Sequence, residues 1–312
     1  MFEKMRTNII KKIERDRDST ILIYVHDDSM SYNHVPLIYN ELKKIGKVKN
    51  LDIFLSSPGG DPDAAFKIVK MCREHCEQKL SVIVPFMAKS AATLLAIGTD
   101  EIVMGAPSEL GPIDPQIYDK TSERWGATQS IRDCVDFVEE RFKTTDSPEA
   151  TSYVLMPIID KLNPFIVGIY ERAVKMSKQY AELLLKNGML KNNTAEELQS
   201  TVGKLSESYY SHGFAIDSKE AKEELYLNVV NCDDELWDQI WALFLTYNLE
   251  MRQNTNYSYF IQSLRGMEEK ADEESGIDNT NTADASQPNE GSESGSENKS
   301  DNGLEARFPQ FQ

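Results

Sequence analysis

Cysteine is scarce in this chain: Cys72, Cys76, Cys134 and Cys232 are the only four in 312 residues. So few thiols at such spacings exclude the disulfide framework of a small secreted domain. Cys72 and Cys76 share a predicted helix with His75, but no second cluster with metal-ligand spacing accompanies them. We therefore expect no metal site. The sequence also contains no cofactor-binding motif, so we expect no cofactor.

Long apolar runs are missing as well. No stretch approaches the roughly 18 apolar residues of a membrane-spanning helix, and the first residues lack the apolar core of a signal peptide. We expect a cytoplasmic protein with no transmembrane segment; peripheral membrane association stays open.

An excess of positive charge is absent too, since the formal net charge is −17. An acidic surface repels the phosphate backbone, so we expect no nucleic-acid partner. The charge is uneven: residues 267–312 hold twelve acidic and three basic residues, a net of −9. About half of the acidity therefore lies in this segment.

What the chain does have is a regular alternation of β-rich apolar runs and helical patterns in its first 105 residues. The predicted strands are 20–25, 51–56, 80–86 and 101–104, and the predicted helices are 2–17, 35–45, 61–76 and 91–97. Such alternation indicates right-handed βαβ units and a largely parallel sheet. The predicted fold class is α/β.

The second half of the chain reads as helices alone from about residue 128. We expect an N-terminal helix at 1–17, one domain at 18–230 and an aromatic-rich C-terminal helix at 231–265. Residues 266–312 are rich in Glu, Ser, Asn, Asp and Gly, the composition of a disordered acidic tail.

Ser90 lies at a junction between a strand and a helix. Only Met87, Ala88 and Lys89 separate the predicted strand 80–86 from Ser90, which precedes the helix 91–97. A hydroxyl there meets the positive end of the helix dipole at the sheet edge, as a nucleophile requires. The alternative is a plain helix cap, a common role for serine.

A second turn, at residues 57–61, also follows a predicted strand. The carboxyl ends of parallel strands share one edge of a sheet, so both turns are expected to meet there. Gly59 or Gly60 and Ala91 can then offer backbone N–H groups to a developing oxyanion. The alternative is that the glycine pair only makes a tight turn.

Three motifs occur in order: LSSPGGD at residues 55–61, AKSAAT at 88–93 and LGPIDPQ at 110–116. Together they resemble the serine dehydrogenase proteinase family, which is related to signal peptide peptidase A and more distantly to the Clp protease proteolytic subunit and crotonases. The resemblance covers roughly residues 18–230.

The resemblance implies a ClpP/crotonase-like fold with repeated βαβ units and a helical C-terminal part. It implies that Ser90 is the nucleophile, that Gly59 or Gly60 forms the oxyanion hole with Ala91, and that residues 211–213 are a further family motif. It also implies a peptide or protein substrate and self-assembly into a homo-oligomer.

The general base is the unresolved part of the predicted site. Clp proteolytic subunits have a histidine about two dozen residues after the serine, where this chain has Asp114. His212 is the best candidate by chemistry, because imidazole titrates near neutral pH, although a structural histidine is the alternative. Lys89 is a second candidate, and Lys120 and Lys161 are more distant ones. Asp114 either orients a base or holds its own loop.

Three functions stay open at this point. The first is a serine peptidase that forms an acyl-enzyme on Ser90. The second is an inactive scaffold or interaction protein that keeps the ClpP fold without a competent base. The third is a crotonase-type acyl-CoA enzyme, which would use the same two N–H donors without a nucleophile. The serine at the helix start favours the first.

Overall fold

A computed structural model describes residues 2–119, 124–127, 129–161, 164–254 and 258–280. The strands are β1 (Thr20–His26), β2 (Val48–Ser56), β3 (Cys76–Val84), β4 (Met87–Ala88), β5 (Glu101–Met104), β6 (Glu109–Leu110), β7 (Gln116–Asp119), β8 (Arg124–Ala127), β9 (Val229–Val230) and β10 (Tyr259–Ser263). The helices are α1 (Phe2–Arg17), α2 (His34–Ile45), α3 (Pro62–His75), α4 (Ala91–Ile97), α5 (Gln129–Thr144), α6 (Pro148–Ile159), α7 (Pro164–Asn187), α8 (Ala195–Gly203), α9 (Ser218–Glu223), α10 (Asp234–Gln253) and α11 (Leu264–Thr280), with a π-helical turn at Lys204–Ser208.

The main sheet has the strand order β10-β1-β2-β3-β5-β9. Five of its strands run parallel and only β10 is antiparallel, paired with β1. Side chains at one register line up across the parallel strands and are all buried: Leu22, Ile53, Val82, Ile102 and Val229. The predicted α/β class and the four predicted strands are confirmed.

Helices cover both faces of this sheet, because successive strand residues point to opposite sides. Leu22 and Ile53 belong to the core beneath α2, α3 and α4. Their chain neighbours Ile23 and Phe54 face the other way, toward α1 and α10. The carboxyl edge of the sheet, where β2 and β3 end, stays free for loops.

The C-terminal helix is shorter than predicted. α10 ends at Gln253, and Tyr259–Ser263 forms strand β10 instead of continuing the helix. The reason is tertiary: the outer edge of β1 presents unpaired backbone groups, and β10 satisfies them from Leu22↔Ser263 to His26↔Tyr259.

Residue 266, where the acidic tail was predicted to begin, instead lies inside α11. Met267 is only 5% exposed, and the buried carboxylate of Glu41 accepts hydrogen bonds from both the backbone N–H and the hydroxyl of Ser263. The first structural unit ends at Lys270. Residues 281–312, also predicted to be disordered, lie outside the described residues.

In the described part of the chain, no single helix has both the length and the apolar character to cross a bilayer. Pro148–Ile159 and Pro164–Asn187 meet those criteria only as a pair, bent by 76°. The same two helices carry exposed apolar side chains, of which Tyr153, Val154 and Phe165 are the most exposed.

Candidate active site

The turn after β2 and the turn after β3 lie side by side at the carboxyl edge of the sheet. The N–H of Ser57 donates to the Met87 carbonyl at 2.9 Å, and the N–H of Lys89 donates to the Ser57 carbonyl at 3.1 Å. The first turn ends where Asp61 caps α3 by accepting two backbone N–H groups, with Pro62 at the first helical position. The two turns therefore meet as predicted.

Ser90 stands at the start of α4 in an unusual backbone conformation. Its φ of 50° and ψ of −116° lie outside the regions that non-glycine residues normally adopt. Its side chain makes no capping hydrogen bond to α4, which argues against the capping alternative. Strained residues of this kind cluster at functional sites.

Gly59 lets the two turns approach at the position of Ser90. A Cβ on Gly59 would lie 2.6 Å from the Lys89 carbonyl oxygen and 2.8 Å from Ser90 Cβ. Its φ of 101° is itself a glycine conformation. Its N–H, however, donates to Ser57 Oγ at 3.0 Å. Gly59 therefore provides close approach, and its own N–H is already engaged.

Gly60 is arranged differently. Met30 pairs with it through the flanking groups: the Met30 N–H donates to the Gly59 carbonyl and the Asp61 N–H donates to the Met30 carbonyl. In a parallel bridge this leaves the N–H of Gly60 directed away from Met30. Gly60 and Ala91, the first residue of α4, both line the cavity that contains Ser90. These two N–H groups suit an oxyanion hole.

The third motif loop is hydrogen-bonded to α4. The hydroxyl of Thr93 lies 2.6 Å from the Ala88 carbonyl and 2.9 Å from the Gly111 carbonyl, and it accepts the N–H of Gly111 at 3.0 Å. This brings Asp114, four residues after Leu110, to the same edge as Ser90.

Asp114 and His212 form a hydrogen-bonded pair, with 2.9 Å between Asp114 Oδ1 and His212 Nδ1. A carboxylate only accepts, so Nδ1 donates this hydrogen bond, and in a neutral imidazole Nε2 is then the acceptor. Asp114 is buried, whereas His212 is partly exposed and lines the cavity with Ser90. An antiparallel bridge between Leu110 and Ile216 joins the two loops. The structure thus places Ser90 and His212 on one cavity, with Asp114 hydrogen-bonded to His212.

The cavity has a volume of about 400 Å³. Its described lining is largely apolar and, apart from the imidazole, has no ionisable side chain: Ser29, Pro58, Gly60, Pro62, Ser90, Ala91, Leu94, Ile113, Pro115, Gln116, Ala173, Met176, Ser177 and His212. Such a lining favours an uncharged, apolar side chain as occupant.

The lysine candidates do not share this arrangement. Lys89 Nζ lies 3.0 Å from Glu109 Oε1 and donates to the carbonyls of Leu110 and Phe214. In the described chain the Ser90 hydroxyl is hydrogen-bonded neither to Lys89 nor to His212, but only His212 lines the cavity with Ser90. Lys161 is exposed just after α6, and Lys120 lies outside the described residues.

Sequence reasoning missed the contribution of α7. Ala173, Met176 and Ser177 line the cavity, and Ser177 Oγ donates to the Ile113 carbonyl at 2.7 Å. Tyr170, one turn earlier, buries its hydroxyl without a partner in the described chain, and burial together with the nearby charge of Asp114 raises its pKa. The only signal was helical periodicity, which does not say where a helix packs.

In the described part of the chain, no group of three or more His, Cys, Asp or Glu side chains is placed to hold a metal ion. The four cysteines are unpaired thiols, and burial raises the pKa of Cys72 to about 12. A thiol held protonated in this way is a poor nucleophile and a poor ligand.

Comparison with known proteins bears on the predicted resemblance. A family model described as ClpP-like SDH-type serine proteinase matches residues 1–124. This match confirms the resemblance and the ClpP-like α/β fold, and it supports a serine-type peptidase in general terms. The matched range contains Ser90 and Asp114 but not His212.

Two uncharacterised proteins of Methanocaldococcus jannaschii are similar in sequence. MJ0137 is 26% identical over 260 residues, which is 80% of each chain. MJ1495 is 22% identical over 230 residues, or 70% of this chain and 69% of its own.

Two solved structures of the 1510-N membrane-bound stomatin-specific protease are also similar. A lysine-to-alanine mutant in complex with a substrate peptide aligns with a TM-score of 0.40 at 14% identity, over 69% of this chain and 78% of its own. A serine-to-alanine mutant aligns with a TM-score of 0.41 at 13% identity, over 71% of this chain and 82% of its own.

Proposed function

We propose that this chain is a serine peptidase that hydrolyses peptide bonds through an acyl-enzyme on Ser90. The observation that carries the proposal is the Asp114–His212 hydrogen bond beside the cavity that Ser90 lines. The match to serine proteinases over residues 1–124 supports the same reaction class. His212 is the proposed general base and Asp114 its orienting group.

In the proposed reaction, His212 Nε2 takes the hydroxyl proton as Ser90 Oγ attacks the carbonyl carbon of the substrate. The oxyanion of the tetrahedral intermediate accepts hydrogen bonds from the N–H groups of Gly60 and Ala91. Two such donors contribute several kcal/mol of transition-state stabilisation. The imidazolium, stabilised by Asp114, then protonates the leaving amine. Water, activated by the same imidazole, hydrolyses the ester.

The base requirement separates the candidate functions. The scaffold alternative depended on the lack of a competent base, and the orientation of His212 by Asp114 weighs against it. The crotonase-type alternative needs no serine. The strained backbone of Ser90, and the absence of a capping hydrogen bond from its side chain, therefore weigh against it.

A fluorophosphonate probe tests the proposal directly. We expect one covalent adduct per chain, located on Ser90 by peptide mass spectrometry and absent in Ser90→Ala. His212→Ala and Asp114→Asn should each slow labelling and peptide hydrolysis by roughly a thousandfold or more, because the base is lost or misoriented. Freshly prepared, folded protein that never labels would favour the scaffold.

We also propose that the chain forms a homo-oligomer, which would cover the apolar residues exposed on α6 and α7. Tyr153 is 89% exposed and Phe165 is 74% exposed, and apolar patches on such helices commonly mark interfaces. Sedimentation velocity should show an assembly in the wild type and a smaller species in Tyr153→Asp/Phe165→Asp. A monomer in the wild type would contradict this.

A further inference from the structure

Three segments distant in sequence carry the candidate site. They are the nucleophile turn at 87–90, the Asp114 loop at 109–116 and the His212 loop at 209–216. The reaction needs these loops held to within a fraction of an ångström, since small misplacements of catalytic groups cost large factors in rate. Lys89 lies beside Ser90, and its side chain reaches both of the other segments.

The ammonium of Lys89 uses its three N–H groups on three partners. It donates to the Leu110 carbonyl at 3.2 Å and to the Phe214 carbonyl at 3.0 Å, 125 residues away in sequence. Its third contact is an ion pair with Glu109 at 3.0 Å. The side chain is only 12% exposed, and a charge so buried is retained only where its donors are matched.

Gly111 makes the path for this side chain. A Cβ at Gly111 would lie 2.7 Å from Lys89 Cδ, closer than van der Waals contact. The Lys89 side chain of the AKSAAT motif therefore passes through the space that a side chain at Gly111 of the LGPIDPQ motif would fill. Neither is explained by the steps of the proposed reaction.

Leu110 is the point where the segments converge. It exchanges two backbone hydrogen bonds with Ile216, of 2.9 and 3.1 Å, and its carbonyl also accepts from Lys89. Phe214, the other acceptor, is two residues from His212 in sequence. Lys89 is itself the residue next to the nucleophile, so its hydrogen bond to Phe214 ties the His212 loop to the Ser90 turn.

We infer that Lys89 is a positioning residue: its ammonium clamps the Asp114 and His212 loops against the Ser90 turn. The effect on catalysis rests on the proposed function, whereas the contacts that form the clamp do not depend on it. It also assigns to Lys89 a role other than that of general base.

The test compares four versions of the 312-residue chain: wild type, Lys89→Met, Lys89→Arg and, as a matched control, Lys79→Met. Lys79 also pairs with a carboxylate, Glu101, but at the opposite edge of the sheet. Hydrogen–deuterium exchange is measured over residues 109–116 and 209–216. We expect exchange in both segments to rise about tenfold or more in Lys89→Met alone. Unchanged exchange would overturn the clamp, whether or not the protein is active.

Hydrolysis of a fluorogenic peptide gives the second readout. Lys89→Met should lower kcat by about 100-fold with little change in KM, as expected for misplaced groups. Lys89→Arg should stay within about tenfold of wild type, because arginine keeps the charge and the donors. A general base must lose its proton, which arginine does not do, so an Lys89→Arg protein as inactive as Lys89→Met, with normal exchange, would overturn the inference. A wild-type protein that neither reacts with the fluorophosphonate probe nor hydrolyses the peptide would refute the proposed function. The exchange data would still show whether Lys89 holds the two loops in place.

Discussion

At the scale of single residues, Gly59 governs how closely the two turns approach. In Gly59→Ala the new methyl group would meet the Lys89 carbonyl and Ser90 Cβ at under 3 Å, at a φ of 101°. We expect a loss of about 1–3 kcal/mol in stability and about 100-fold slower fluorophosphonate labelling, measured by thermal unfolding and mass spectrometry.

The matched control is Gly203→Ala in α8, where an added Cβ has no atom within 4 Å. This variant should keep the labelling rate of the wild type and should lose no stability, because Gly203 has helical backbone angles that alanine favours. Wild-type labelling in Gly59→Ala would mean that the close approach of the turns does not position Ser90.

His26 makes a separate prediction about pH. Burial lowers its pKa to about 4; its hydrogen bond to the Asp28 carbonyl opposes this shift and the neighbouring His34 adds to it. An unfolded histidine has a pKa of about 6.5. Between pH 6.5 and 4 the unfolded chain therefore binds a proton that the folded chain excludes, and stability falls as pH falls, by on the order of 3 kcal/mol.

Melting temperatures from pH 7.5 to pH 4 would test this. Wild type should lose more stability over that range than His26→Gln, whose side chain does not titrate. The comparison is between slopes, so a constant destabilisation of the variant does not matter. Parallel curves would show that the imidazole accepts a proton in the folded protein as readily as in the unfolded one.

Individual roles were predictable from sequence to different extents. Ser90 could be named because a strand, a three-residue turn and a helix are local features. The difference between Gly59 and Gly60 could not, because it depends on hydrogen bonds with Ser57 and Met30. The pairing of His212 with Asp114 likewise joins residues 98 positions apart.

At the scale of elements, α7 supplies one wall of the cavity. Met176 and Ala173 contribute apolar surface to it. In Met176→Glu a carboxylate would enter a pocket whose described lining has no other acidic side chain, so kcat/KM for peptides with an apolar side chain at the cleaved bond should fall by about tenfold or more. Peptides with lysine at that position should lose less.

A peptide library that differs only at the position before the cleaved bond would measure this shift. Leu183→Glu is the control: it is also on α7 and is exposed outside the cavity that Ser90 lines. If Met176→Glu kept the side-chain preference of the wild type at this position, α7 would not determine substrate specificity.

The parallel strands were predictable because buried apolar runs between helical patterns have few other interpretations. Strand β10 was not. Phe260 continues the apolar pattern of α10, and only the vacant edge of β1 makes the extended conformation favourable. Helix α7 was recognised as a helix, but its contact with the Ile113 loop depends on tertiary packing.

At the scale of the whole molecule, the position where the folded unit ends can be tested by truncation. A chain ending at Lys270 should melt within a few degrees of the 312-residue chain. A chain ending at Arg265 loses the buried side chain of Met267, so we expect it to be destabilised by about 2–3 kcal/mol. Chemical denaturation of both would measure the difference, and equal stability would place the end of the folded unit before residue 266.

The pairing of β10 with β1 has a consequence for the order of synthesis. During synthesis, one edge of β1 stays unpaired until β10, which is made more than 230 residues later, is available. A nascent chain that already contains Ser90, Asp114 and His212 therefore still lacks the β1–β10 pairing of the main sheet. Completion of the sheet is thus tied to translation of residues 259–263.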